Sequence, residues 1–166
     1  MNADALMGNI EYAAIQATKG LQLPTKSGEY APPTVKRGYL PPKDPKRDPD
    51  RIDAPCVIVR FLGDETTEDG TIATVKIVCV AYSEDDEQGW RELLTIMDPL
   101  KTYLLKHRNI GDCYRIALPI KRDIPEENGA PEWAGVFTIN IEIPTVQEED
   151  KDARGFLTGQ DNAVCR

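Results

Sequence analysis

The chain of 166 residues contains a single histidine, no CxxC pair among its four cysteines, and few aromatic residues, 7% in all. Each shortage removes a class of function. Zinc sites need cysteine and histidine ligands at short, regular spacing, and Cys56, Cys79, Cys113 and Cys165 stand too far apart to supply it. No stretch of about 18 apolar residues is present to form a spanning helix, and the N-terminus has no basic segment followed by an apolar one. The formal net charge is −8, whereas surfaces that grip nucleic acid replace phosphate counterions with Lys and Arg. A soluble cytoplasmic protein without membrane partners is the default expectation. Cys56 and Cys79, set in strand-like runs, are expected to be small buried hydrophobes in a reducing compartment.

Forty per cent of the residues are hydrophobic and 29% charged, enough for one globular domain with a core plus some unpacked chain. The strongest pattern lies between Thr71 and Arg108. From Thr71 to Tyr82, one alternate set is Ala73, Val75, Ile77, Cys79 and Ala81, wholly apolar. The other is Ile72, Thr74, Lys76, Val78, Val80 and Tyr82. Period-two alternation puts the sets on opposite faces of a sheet. After the acidic run Ser83 to Glu87, residues Trp90, Leu93, Leu94, Met97, Leu100 and Leu104 recur at helical spacing and form a natural lid for the apolar face. Ser83 and its acidic neighbours suit the helix start, and Lys106, His107 and Arg108 its finish. Pro99 predicts a kink, or a restart capped by Asp98.

Around this unit the pattern predicts a helix over 3–18, stopped near Gly20, and a proline-rich arm over 23–53 that reads as a flexible linker or as an arm embracing a partner. A strand over Cys56–Leu62 is joined to Thr71 by the polar loop Gly63 to Gly70, with Val57, Val59 and Phe61 facing the core. Further strands are expected over Tyr114–Ile120 and Trp133–Ile143, and 146–166 reads as a flexible acidic tail. The order α-β-β-α-β-β predicts an α/β (α+β) domain: a four-stranded, mostly antiparallel sheet with both helices on one face and a core over 54–145 within a single domain, 1–145.

Candidate chemistry is sparse. Glu65, Thr67, Asp69 and Gly70 follow the first half of a calcium loop, but its twelfth position is Lys76 instead of a bidentate Glu. Gly20 to Ser27 has phosphate-loop spacing with Thr25 in place of the second glycine. His107 suits a helix end, and Asp85, Asp86 and Glu87 suit capping. No catalytic, cofactor or metal residue is assigned. The sheet face opposite the helices carries Ile58, Arg60, Lys76, Val78, Val80, Tyr82, Arg115 and Glu142, too apolar at one end for plain solvent, and is the expected subunit interface.

The succession Pro55 to Arg60, Gly70 to Tyr82, an acidic gap into Gly89-Trp90, a leucine-rich helix, Tyr114 to Ile120, and Pro131 to Val136 before a strand ending Ile143-Pro144 resembles the tail terminator and tail completion proteins of long-tailed bacteriophages. The resemblance spans about residues 53 to 145. It implies a non-enzymatic virion protein of the tail or neck, made in the host cytoplasm. Such a protein forms a homo-oligomeric ring, a hexamer by the resemblance, that caps the tail tube protein, ends tail growth and offers a joining surface to a head-completion or connector protein. DNA would pass through the lumen without specific binding, which an acidic chain suits. The alternatives are another head-tail connector or neck ring protein, and a small ligand-binding or enzymatic α/β domain, which a deep pocket with convergent polar groups would favour.

Overall fold

A computed structural model describes residues 2–40, 46–47 and 51–144. The elements are α1 (Ala3–Thr18), β1 (Leu23–Pro24), β2 (Tyr30–Ala31), β3 (Thr34–Arg37), β4 (Cys56–Thr67), β5 (Gly70–Tyr82), α2 (Trp90–Lys106), β6 (Asn109–Ile110), β7 (Tyr114–Asp123) and β8 (Glu132–Ile143). β1 and β2 form a small antiparallel ribbon, and the other six strands form one mixed sheet in the order β3-β4-β5-β8-β7-β6. The class is α+β as expected. The expected four antiparallel strands are the middle of this sheet, which gains β3, parallel to β4, at one edge and β6 at the other.

Apolar alternation builds the core as anticipated. Ala73, Val75, Ile77, Cys79 and Ala81 of β5 and Phe137, Ile139 and Ile141 of β8 are at most 1% exposed and form one cluster with Leu6, Ile10 and Ala14 of α1 and Leu93, Met97, Leu100 and Leu104 of α2. Both helices therefore cover the same sheet face. Asn2 caps α1 by accepting from the Asp4 and Ala5 N–H groups, which satisfies donors that have no partner within a first turn. Where α2 crosses β8, Gly135 lets the helix approach closely: an added Cβ would lie 2.6 Å from Met97 Sδ and 3.1 Å from a Leu93 methyl.

Several expectations need correction. The acidic run does not start α2, because Gly89 is its N-cap and no side chain bonds there. Instead Asp85 accepts from the Glu87 and Gln88 N–H groups, closing a separate turn. α2 runs unbroken through Pro99. Ile96 is fully buried while Leu94 is half-buried, because the buried stripe runs 93, 96, 97, 100 and 104. The polar loop 63–70 is largely strand, since β4 continues past a bulge at Leu62 to Thr67 and turns through Glu68 and Asp69. The first part of the proline-rich segment is neither linker nor free arm, because it contributes β1, β2 and β3, with Val35 packed against the core. Pro24 lies in the two-stranded ribbon, whose strands are both edges that tolerate a missing donor, and Pro32 and Pro33 lie between β2 and β3. Part of that segment, and the expected tail 146–166, lie outside the described residues. Cys56 and Cys79 are buried as expected, whereas Cys113 is disulfide-bonded, which the expectation of a reducing compartment does not anticipate.

Leu100→Ala, which truncates a fully buried side chain, is expected to lower unfolding stability by about 2–5 kcal/mol. Leu94→Ala, at the half-buried margin, should cost clearly less in the same urea titration. Equal losses would contradict the helix rotation described here.

Candidate functional site

The helix-free face of the sheet is the surface the sequence singled out, and register places its eight residues on that one face. Arg60 pairs across from Lys76, Ile58 from Val78, and Arg115 from Glu142, while Val80 and Tyr82 continue the same alternation along β5. The face divides into bands across the strands. One end is apolar, with Cys56, Ile58, Val78, Val80, Ala134 and Val136. The middle holds Arg60, Lys76, Thr138 and Lys121 in one row. The far end holds Glu65, Ile72, Glu142 and Arg115.

The apolar band is smaller than expected. Ile58 is 1% exposed and Tyr82 8%, so neither is an open contact residue, while Val78 and Val80 are half-buried. At the Tyr82 end of the sheet the Asp53 N–H donates to Oε1 of Glu132, the β8 residue opposite Tyr82 (3.3 Å), and Ala54 and Pro55 are buried. The Tyr82 hydroxyl donates to Glu84 at 2.6 Å, which raises its pKa above the ordinary value. Arg60 is also engaged, donating from Nε to the Gly38 carbonyl and stacking its guanidinium 4.7 Å above the exposed Tyr39 ring. The open remainder of the eight is Lys76, Val78, Val80, Arg115 and Glu142.

The other candidates resolve into structure. Glu65 and Thr67 lie on β4 and Lys76 on β5, a ladder that cannot wrap an ion, and no group of three or more His, Cys, Asp or Glu side chains suited to a metal occurs among the described residues. Gly20 to Ser27 enters β1 and its turn. His107 is the C-cap of α2; its backbone N–H donates to the Tyr103 carbonyl and its ring lies 4.3 Å from the Tyr103 ring. Burial, aided by Cys56, pushes the Cys79 thiol pKa far up and keeps it protonated. A cleft of about 660 Å³ lies between α1 and β3. Its Arg37 is already paired with Asp4 and Glu11, each at 2.9 Å.

Sequence reasoning missed one coupling. The buried Trp133 indole lies directly over Gly89, where an added Cβ would fall 2.1 Å from Nε1. That nitrogen is a buried donor without a hydrogen-bond partner among the described residues. Glycine at the helix start followed much later by a β8 tryptophan gives no local signal, because the contact is long-range.

No family model matches the chain, and no curated protein matches it.

Gly89→Ala is expected to lose about 1–3 kcal/mol, since a rigid indole blocks the new methyl group; unchanged thermal unfolding would show that the contact is loose. Asp85 gives a pH dependence. Its carboxylate pKa is lowered by the backbone bonds from Gln88 and Glu87, so its stabilising contribution is complete above the ordinary carboxylate range and is lost as pH falls through the lowered value. Asp85→Asn should therefore be less stable than the parent at neutral pH, with the gap closing on acidification in paired urea titrations.

Proposed function

We propose that the chain is a ring-forming structural subunit of a long-tailed phage particle, of the tail terminator or tail completion type. In this reading it caps the tail tube protein, stops tube growth and offers a head-completion protein its joining surface, with DNA passing an acidic lumen. The observation that supports it best is the helix-free sheet face, where Val78 and Val80 remain half-exposed beside the charges of Lys76, Arg115 and Glu142. A mixed apolar and charged strip of this kind suits contact with another protein, its apolar part giving affinity and its charges fixing register. The α+β architecture and the strand succession are compatible with the resemblance. Another neck or connector ring of the same particle would use the same strip. A small ligand-binding or enzymatic domain is the remaining reading, and the saturation of Arg37 in the cleft between α1 and β3 counts against it.

Negative-stain imaging of the purified chain should give rings with a central hole, and the chain should restore head-to-tail joining to tails assembled without it. Val80→Asp is expected to keep the parent circular dichroism spectrum yet lose both. A variant of wild-type oligomeric mass would remove the strip from the subunit contact, and a particle-free, strictly monomeric wild type would overturn the reading.

A further inference from the structure

The two edges of the sheet carry opposite charge. Residues 62–73, the outer part of the β4–β5 hairpin, contain four carboxylates, Asp64, Glu65, Glu68 and Asp69, and no cation. All four are exposed and none makes an ion pair among the described residues. Beyond Val59, β4 has no described strand on the side away from β5, because its pairing with β3 ends at Arg37. This open edge also exposes Leu62, at the bulge, to 53%, and Ile72 on the adjoining strand to 45%.

Residues 101–122 show the reverse balance, with six Lys or Arg side chains and one carboxylate, Asp112, although Lys121 pairs with Asp123 and Arg122 with Asp98 just outside the segment. Where α2 ends and β6 and β7 begin, Leu105, Lys106, His107, Arg108, Asn109 and Arg115 line a shallow cleft of about 390 Å³. Arg108 is committed to the Ile116 carbonyl, while Lys106 and Arg115 are exposed and make no ion pair among the described residues. Leu105 contributes an apolar wall that is 44% exposed.

Register relates these features. A single row across the sheet runs Glu65, Ile72, Glu142, Arg115, Asn109, so the acidic hairpin and the basic corner occupy the same end of the sheet on opposite sides. We propose that the basic corner of Lys106 and Arg115 receives the acidic β4–β5 hairpin of a second copy of this chain. The contact is head-to-tail: each copy uses its hairpin toward one neighbour and its corner toward the other, the geometry that yields rings or filaments. Charged side chains on an open edge disfavour backbone strand addition, so the contact is made through side chains. Leucines on both surfaces supply its apolar part and the charges its orientation. Closure into a ring rests on the function proposed above; the pairing of these two surfaces does not.

The test uses the full chain and light scattering coupled to size exclusion at low salt. Asp64→Lys, Glu65→Lys, Glu68→Lys and Asp69→Lys together reverse the hairpin, and Lys106→Glu with Arg115→Glu reverses the corner. Each charge-reversed variant should require at least about tenfold more protein to associate than the parent, because like charges now meet. Both sets of changes in one chain should restore association, and mixing the two variants should produce mixed oligomers at concentrations where neither associates alone. Unchanged circular dichroism and melting exclude misfolding. Wild-type mass in either variant, or no association on mixing, would overturn this pairing. If that happened while head-to-tail joining persisted, the proposed function would stand without this contact. A wild type that stays monomeric at every concentration would remove both.

Discussion

The packing of α2 on the middle of the sheet is the constraint on which the remaining architecture depends. Gly135 removes the side chain that would hold the helix away from β8, and Met97 and Leu93 occupy the space. Because α1 joins the same apolar cluster, one sheet face takes all of the helical cover, and interior packing tolerates little change in volume there. The Trp133 indole locks the start of α2 in the same way by filling the space above Gly89. Two glycines, one on the helix and one on the strand it crosses, thus set the distance between the layers.

With the helices committed to one side, the opposite side has to be handled by short means. The chain entering β4 is tied to Glu132 at one end, Arg60 is held by the Gly38 carbonyl and Tyr39, and the rest is left open. This division makes the face neither a core nor ordinary surface. Its half-buried valines lie next to charged rows, the combination on which the proposed contact rests.

Local periodicity made much of this legible. The bounds of α1, the burial of alternate residues in β5, and the partition of eight named residues onto one face were all readable, since each rests on a repeat of two or of 3.6 residues. What escaped depends on partners distant in sequence. β3 is four residues directly after Pro32 and Pro33, and only its pairing with Cys56–Val59 makes it a strand. The acidic residues of outer β4 have weak strand preference, yet β5 supplies their ladder. Leu94 and Ile96 are equally apolar, and the choice between them turns on a small rotation of the helix. Ile58 and Tyr82 belong to the helix-free face by alternation, so the repeat of two residues gives no sign that they are buried.

The strand order has a kinetic corollary. β5 is flanked along nearly its whole length, by β4 from Gly70 to Val80 and by β8 from Thr71 to Tyr82, whereas β3 and β6 each have one described neighbour in the sheet. Amide protons of edge strands can reach solvent through local opening, while those of a doubly flanked central strand are released only when the domain unfolds as a whole. Exchange at Val75, Ile77 and Cys79 would therefore report the global free energy of the domain, and exchange at Thr34, whose N–H donates to the Pro55 carbonyl, only the fraying of one margin.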